Sequence, residues 1–299
     1  MKKNGLILVD KPESFTSFKA AAVIRRIYGT KRVGHTGTLD PLATGVLPIL
    51  IGRATRLSSY VLEADKRYIA GIRLGITTDS LDITGNMVSE SEVNVTDEQL
   101  AEAIAHFNCT YDQIPPMYSA IQVNGVRLYD LARQGKEVKR EPRTVTIHEL
   151  KLLNRNGNDF SVEVHCSKGT YIRSLADDIG KYLGCGAVVT SLRRTDAAGF
   201  SIDRCFTLEQ IEADPEGCLL PPDTAISHFR SVTVAPSQSR RFISGAALSI
   251  DRLRFVKDAK DGELFKMYFD GEFLGLSEYR RDVRELTTKC VITESQNYG

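Results

Sequence analysis

The sequence predicts an α/β protein of the α+β type, in which strands and helices are mixed without regular alternation. Segments in which apolar and polar residues alternate indicate strands, and apolar residues at three- and four-residue spacing indicate helices. Two capping boxes mark helix starts, yet no strand–helix–strand pattern recurs as a parallel α/β fold would require. Beyond about residue 231, short apolar segments separated by Gly and Asp predict a second, smaller β-rich unit.

The individual elements follow from these patterns in chain order. The predicted strands are Leu6–Val9, Tyr68–Leu74 and Phe160–Cys166, and Asn124-Gly125 is a tight-turn signal. The predicted helices are Ser17–Tyr28 with Gly29 just past its end, the segments that begin at Thr96–Gln99 and Thr207–Gln210, Leu128–Gln134, and Leu175–Leu183. We therefore place one domain at 1–230, and the β-rich unit at 231–299.

Composition excludes several classes of protein. The chain has 299 residues, of which 42% are hydrophobic and 26% charged, as in soluble globular proteins. Its apolar runs are much shorter than the roughly 18 residues that a membrane span needs, and no secretory leader pattern precedes them. The six cysteines are scattered without zinc-finger spacing, so we expect reduced thiols and no metal site. These features predict a cytoplasmic protein.

The net charge of +1 hides a strong asymmetry along the chain. Residues 1–70 carry twelve basic and five acidic side chains, whereas residues 71–112 carry one basic and eight acidic. Residues 113–155 are again basic, with eight against four. Either one face of the protein binds a polyanion or the charges cancel around the surface, and charge counts alone leave both interpretations open.

The most unusual segment is Gly34–Gly45, which contains His35, Asp40 and Pro41. Its glycines and proline predict a shaped loop, and the proline restricts the backbone of Asp40 before it. An immobilised carboxylate suits covalent or proton-transfer chemistry. A turn whose aspartate caps a helix near Leu42 is an equally weighted alternative. The segment lacks the spacing of a phosphate-binding or dinucleotide loop.

Three further blocks place basic groups beside aromatic or apolar residues. They are Lys66-Arg67-Tyr68, Lys168–Arg173 and Leu192-Arg193-Arg194. An aromatic ring next to cations can stack a nucleobase while the cations hold phosphates. Taken singly, the first two are more often ordinary strand ends, and the last is usually a solvated surface pair.

Together these blocks resemble the bacterial TruB tRNA pseudouridine synthases. The similarity runs from about residue 3 to residue 210, and five blocks occur in the family's order. They are Gly34–Pro48, Lys66–Tyr68, Ile114–Ala120, Cys166–Arg173 and Leu192–Arg194. The resemblance implies a pseudouridine synthase fold with a long mixed, largely antiparallel sheet and a PUA-like RNA-binding tail at 231–299. It also implies that uridine 55 in the T loop of tRNA is isomerised to pseudouridine without cofactor or metal.

The resemblance assigns the catalytic residues by position. Asp40 matches the family's catalytic aspartate, Tyr68 its active-site tyrosine, and Arg173 the arginine paired with that aspartate. A cation beside a carboxylate lowers the pKa of that carboxyl group by roughly 1 to 3 units, so we expect Asp40 to be ionised. Whether its carboxylate attacks C1′ or removes the C2′ proton stays open. A phenol is a poor base at neutral pH, so Tyr68 is expected to assist loss of the C5 proton and not to remove it alone.

The resemblance also assigns substrate-binding residues and a partner. His35 matches a histidine that contacts the T loop, Leu192 matches the residue that closes the pocket, and Tyr171 and Lys11 match positions that shape it. Asp82 matches a further aspartate, although its acidic segment favours surface charge. The expected partner is the T stem-loop of tRNA, bound by a monomer through a thumb-like insert near 124–143, as in the stand-alone bacterial enzymes.

Two other functions are compatible with the residues. A tRNA-binding or tRNA-folding protein could use the same cleft without chemistry. A nucleoside or glycoside hydrolase could also be built around Asp40, although such enzymes usually need a second carboxylate, which no motif places beside it.

Overall fold

The computed structural model describes residues 4–62, 64–123, 125–253 and 258–293. Within these ranges the strands are β1 Gly5–Lys11, β2 Val33–His35, β3 Thr44–Ile51, β4 Lys66–Leu74, β5 Ile76–Thr78, β6 Met87–Glu90, β7 Thr110–Gln113, β8 Gln122–Val123, β9 Val126–Arg127, β10 Arg143–Asn156, β11 Asp159–Cys166, β12 Ala187–Ala197, β13 Phe200–Ser201, β14 Arg230–Thr233, β15 Leu248–Ser249, β16 Leu264–Phe269, β17 Glu272–Arg280 and β18 Glu285–Val291. The α-helices are α1 Ser17–Ile27, α2 Ser58–Leu62, α3 Asp97–His106, α4 Leu128–Arg133, α5 Ile172–Tyr182, α6 Leu208–Ala213 and α7 Pro236–Ile243.

A long mixed sheet forms the centre of the molecule. In the described part of the chain its main path runs β1-β3-β12-β4-β11-β10-β7, with β2 paired to β3 and β13 to β12. All neighbours are antiparallel except β3 and β12, which run parallel at Thr44 and Gly45 against Arg193 and Arg194. This largely antiparallel sheet confirms the predicted fold class, and the parallel pair brings the Gly34–Gly45 segment against β12.

Two helices cover one face of this sheet. Helix α1 starts at Thr16, whose side chain accepts a hydrogen bond from the Lys19 amide, and it buries Ala20, Ala21 and Ile24. Helix α5 is buried along most of its length and packs against β12. Both helices share one apolar core with the inward side chains of β3, β4, β11 and β12. The core therefore holds α5, and with it Arg173, in a fixed position over the sheet.

A second sheet begins at Arg230 and has the order β14-β16-β17-β18-β15. It has its own core, which includes Phe242 from α7 and Phe265 from β16. Its other face joins the central sheet, because Leu276 and Ile292 pack in one apolar cluster with residues of β1 and β3. Arg56 donates a hydrogen bond of 2.6 Å to the Val291 carbonyl across this contact. The two sheets are thus held together by a buried contact.

Most predicted elements are confirmed, including both capping boxes and the left-handed glycine after α1. Helix α7, in the tail expected to be β-rich, was not predicted. The alternative of a helix near Leu42 is excluded, since residues 41–43 form a turn that leads directly into β3. Asn124 of the predicted turn lies outside the described residues. Among the described helices none combines the length and apolar character needed to cross a bilayer.

Candidate active site

A pocket of about 270 Å³ opens where the loop before β3, strands β4 and β12, and the start of α5 meet. It contains most of the sequence-predicted site residues. The lining residues are Gly37, Thr38, Leu39, Asp40, Lys66, Tyr68, Ala120, Gly169, Thr170, Tyr171, Ile172, Arg173, Leu192 and Arg194.

The backbone beside Asp40 is fixed by hydrogen bonds from several elements. The Leu39 amide donates to Ser17 Oγ at 2.8 Å, and Ser17 Oγ donates back to the Leu39 carbonyl at 3.1 Å. The Ser14 amide donates to the Pro41 carbonyl at 2.9 Å. Because helix α1 carries Ser17, packing of that helix on the sheet also holds the Asp40 loop.

Lys11 is fully buried beneath the same loop. Its Nζ donates to the carbonyls of Pro12 and Phe15 at 2.8 and 2.6 Å, with the Pro41 carbonyl at 3.5 Å. Burial lowers the pKa of Lys11 to about 8, although the negative charge of Asp40 opposes that shift. Lys11 is not among the pocket-lining residues, so it contributes by holding the loop and by its charge.

Arg173 is the electrostatic centre of the pocket. Its side chain is 5% exposed, and Nε lies 2.9 Å from Asp40 Oδ2. Nη1 and Nη2 each donate at 2.8 Å to a backbone carbonyl, from Ser80 and Tyr118 respectively. These contacts use the planar fork of the guanidinium in three directions, so the group presents Nε to Asp40 in one orientation.

Asp82 is buried, which corrects the expectation that it is surface charge. It is 5% exposed, and its Oδ2 lies 3.7 Å from Arg173 Nη1. Its Oδ1 accepts hydrogen bonds from the hydroxyl groups of Ser80 and Thr84 and from the Thr84 amide. A second carboxylate therefore lies near Asp40, contrary to expectation, but among the described residues that line the pocket Asp40 alone carries a carboxylate.

The pKa of Asp40 is raised overall, although Arg173 lowers it as expected. Burial is the largest cause; Arg173 opposes it, and the charge of Asp82 adds to it. The exposed 35% of the Asp40 side chain faces the pocket, so its hydration depends on whether that pocket is filled. Asp40 consequently holds its charge less readily than an ordinary aspartate and carries a more basic carboxylate.

Tyr68 lies on β4 and is 7% exposed. Burial raises the pKa of its phenol, while a hydrogen bond and the positive charge from Arg194 lower it. The hydroxyl group therefore stays protonated at neutral pH. This agrees with the interpretation that Tyr68 is not a base by itself.

Arg194 is a residue whose position the sequence did not reveal, because the Arg193-Arg194 pair was expected to be solvated. It is 1% exposed, and it donates to the Val46 carbonyl at 2.7 Å and to the Gly37 carbonyl at 3.0 Å. Gly45 pairs with it across the parallel strands at a φ of +100°, and a Cβ there would lie 2.2 Å from the Arg194 carbonyl oxygen. Arg194 thus connects the Asp40 loop to Tyr68. The signal in the sequence that could have indicated its buried position was the pair Gly37 and Gly45, both of which lie against Arg194.

The remaining predicted residues divide into two groups. Leu192 and Tyr171 line the pocket, and Tyr171 is fixed by paired backbone hydrogen bonds with the Gln113 amide side chain at 2.8 and 3.2 Å. His35 ends β2 and is not among the lining residues. Its Nδ1 is buried without a hydrogen-bond partner in the described residues, and burial lowers the pKa of its imidazole. His35 is therefore a neutral ring at the rim of the loop.

Comparison with known proteins identifies the family. The model for the TruB family pseudouridylate synthase N-terminal domain matches residues 25–172, and that for the tRNA pseudouridylate synthase B C-terminal domain matches residues 173–227. The tRNA pseudouridine synthase B of Azoarcus sp. (strain BH72) is 44% identical over 93% of this chain and 91% of its own length. This chain belongs to the TruB family of pseudouridylate synthases. The enzyme of the same name from Yersinia enterocolitica is 40% identical over 97% of this chain and 91% of its own length.

Solved structures show the TruB fold in larger assemblies. A chain of the crystal structure of a Cbf5-Nop10-Gar1 complex is 26% identical, covers 98% of this chain and 84% of its own length, and superposes with a TM-score of 0.72. A chain of an H/ACA RNP bound to a substrate RNA containing 2'-deoxyuridine gives a TM-score of 0.75 at 23% identity, over 99% of this chain and 87% of that chain. At that lower identity the likeness shows the shared fold.

The raised pKa of Asp40 leads to a prediction about pH. With Asp40 as the proposed catalytic carboxylate, kcat is expected to fall as the pH drops through the raised pKa, at a higher pH than an ordinary aspartate would give. Asp82→Asn removes a negative charge that raises this pKa, so the acid limb moves to lower pH. Single-turnover rates between pH 5 and 8 measure the limb; a limb that stays in place or moves upward contradicts the assignment.

Proposed function

We propose that this TruB protein isomerises uridine 55 in the T loop of tRNA to pseudouridine, acting as a cytoplasmic monomer whose reaction uses no cofactor or metal. The observation that carries the proposal is the Asp40–Arg173 ion pair of 2.9 Å at a pocket also lined by Tyr68 and Leu192. A base in this pocket can rest between an aromatic ring and an aliphatic side chain. Its ribose then lies against the Asp40 carboxylate.

The chemistry breaks the C1′–N1 bond, turns the uracil and joins C5 to C1′, after which C5 loses its proton and N1 takes up a proton. Asp40 either attacks C1′ or removes the C2′ proton, and both routes use the same carboxylate. Arg173 orients that carboxylate and balances its charge when the reaction alters it. The walls formed by Tyr68 and Leu192 retain the free uracil until it is rejoined.

The uridine must leave the folded T loop to reach Asp40, at a cost of a few kcal/mol. His35 supports the loop where the base has left, as an uncharged ring. The insert at 124–143 covers the T stem-loop, and its neighbour Ala120 already lines the pocket. The tail at 231–299 adds a PUA-like surface for the rest of the RNA.

Replacing Tyr68 by Phe tests the tyrosine. We expect Tyr68→Phe to slow release of the C5 proton by about 10²-fold, because the hydroxyl bonded to Arg194 is lost, while RNA affinity changes little. Tritium release from tRNA labelled at C5 of uridine measures the rate. Tyr182→Phe, at an exposed tyrosine, is the matched control. Equal losses of rate and affinity in Tyr68→Phe would indicate a mainly structural tyrosine.

The insert leads to a prediction about salt. Lys136 and Lys139 are exposed on the insert, and each phosphate contact contributes roughly 0.7 to the slope of log affinity against log salt. We expect the double substitution Lys136→Gln with Lys139→Gln to reduce that slope by about 1.4, the contribution of two contacts, and to weaken binding of T-arm RNA. Lys151→Gln, at an exposed lysine on β10, is expected to leave the slope unchanged. An unchanged slope in the double variant would show that these lysines of the insert do not contact the RNA.

The function itself is tested by incubating T-arm RNA with the purified chain and mapping pseudouridine. The expected product is one pseudouridine at position 55, with no free uracil. Modification at another position changes the proposed substrate, and free uracil indicates a hydrolase. Binding without modification by the wild-type chain supports the alternative of an RNA-folding protein.

A further inference from the structure

Three side chains that can ligate a metal ion meet on the face of the central sheet opposite the pocket. Lys66 and Tyr68 line the pocket, so the side chain of Arg67 between them projects from the other face. His165 on β11 is the register partner of Arg67 and shares that face. Asp65 immediately precedes β4. The site is therefore separated from the catalytic pocket by the thickness of the sheet.

A β-bulge brings the third side chain to this face. Strand β10 pairs Ile147 with Cys166 and then Glu149 with His165, so His148 is the extra residue between two register pairs. A bulge turns the side chain of its extra residue away from strict alternation. The His148 and His165 rings lie with centroids 4.8 Å apart, at an angle of 45°.

The geometry points to a binding site for a divalent transition-metal ion of the zinc class, formed by Asp65, His148 and His165. Asp65 Oδ2 lies 3.3 Å from His148 Nε2 and 3.7 Å from His165 Nε2, and the three ligand atoms lie within 4.8 Å of one another. Tetrahedral zinc with bonds of about 2.0–2.1 Å separates its ligand atoms by roughly 3.3–3.4 Å. A small movement of the three side chains toward one another therefore brings all three ligand atoms within bonding distance of one ion. All three side chains are partly exposed, so water occupies the fourth coordination position.

The surrounding charges favour a divalent cation. Arg67 lies beside the group, but its Nη1 is 2.9 Å from Glu149 Oε2 and 3.8 Å from Glu163 Oε1. With neutral histidines, Asp65, Glu149, Glu163 and Arg67 together carry a net charge of −2. One divalent ion balances that charge. Arg67 Nη2 also lies 3.3 Å from His165 Nδ1. Coordination through Nε2 places a proton on Nδ1, so Arg67 moves toward Glu163 when the metal binds.

The bound ion would connect strands β10 and β11 to the residue that precedes β4, behind the pocket. Asp65 directly precedes the β4 residues that line the pocket, and His165 directly precedes Cys166 and the loop that leads to Tyr171. Binding to the folded chain alone raises its unfolding temperature by mass action.

Cobalt provides a spectroscopic test. The full-length, chelator-treated chain is titrated with Co²⁺, whose visible d–d bands report four-coordinate geometry, and Zn²⁺ is then added as competitor. We expect Co²⁺ to bind at one saturable site, from which added Zn²⁺ displaces it. His148→Gln and His165→Gln are each expected to weaken binding at least about tenfold and to abolish the rise in unfolding temperature with Zn²⁺. His228→Gln, at an exposed histidine outside the group, is the matched control.

The outcomes separate clearly. Loss of binding in both variants and retention in His228→Gln, with unfolding temperatures of the metal-free variants close to wild type, support the site. No saturable binding by the wild-type chain overturns it. Binding that survives both substitutions, or near-ultraviolet thiolate bands that place the ion on cysteine, also overturns it. His148 is exposed, so its substitution tests the site without disturbing the core.

Discussion

Asp40→Asn is expected to abolish pseudouridine formation, with a rate loss of about 10³-fold or more, while affinity for T-arm RNA stays within a few-fold of wild type. The amide keeps the size of the side chain but can neither attack C1′ nor remove the C2′ proton. The loop keeps its hydrogen bonds, since these come from the backbone around Asp40 and from Ser17. Tritium release and a filter-binding titration measure the two quantities.

The chain offers a matched control for this substitution. Asp159 also forms an ion pair with an arginine, Arg73, at 2.8 Å, but both side chains are more than two-fifths exposed. Exposed pairs contribute little to stability, so Asp159→Asn should leave rate, affinity and unfolding temperature near wild type. Activity of Asp40→Asn within about tenfold of wild type would show that Asp40 is not the catalytic carboxylate.

Arg173→Lys is expected to lower kcat by about 10²-fold although the positive charge is kept. A lysine has no planar fork, so it cannot bond the Ser80 and Tyr118 carbonyls while presenting a donor to Asp40. The Asp40 carboxylate then loses its fixed orientation, and two backbone carbonyls lose a donor. Single-turnover rates at saturating RNA measure the effect on the chemical step.

Thermal unfolding of Arg173→Lys shows whether the fall in kcat arises from the altered site or from loss of the folded state. Arg73→Lys, made at the exposed ion pair with Asp159, is the control for the chemical change alone. We expect that control to retain full activity. Near-normal turnover of Arg173→Lys would show that charge without geometry suffices, and the proposed orientation of Asp40 would be wrong.

Local patterns predicted much of the fold. The capping boxes at Thr96 and Thr207 fixed two helix starts because their hydrogen bonds form within four residues. The alternation in β4 and β11 predicted half-buried strands for the same local reason. Helix α7 was missed because it is short and begins at Pro236, inside a segment whose other elements are strands.

Electrostatic environment was the least predictable property of the site. Asp82 was expected at the surface because its neighbours in sequence are acidic, yet it is buried beside Arg173. Arg194 was expected in solvent, yet its guanidinium bonds backbone carbonyls from a distant loop and strand. Burial is set by the packing of segments far apart in the chain, and neighbouring residues carry little information about it.

Most of the elements, the family and the residue types available for chemistry could be predicted from the amino-acid sequence, because these depend on local hydrogen bonding, periodicity and motif order. The folded structure was needed to show that Asp82 lies beside Arg173, that burial raises the pKa of Asp40 despite its paired cation, and that Asp65, His148 and His165 converge. The distances between groups and their burial arise when remote segments pack together. They set the charge state of each group and the partners that it contacts.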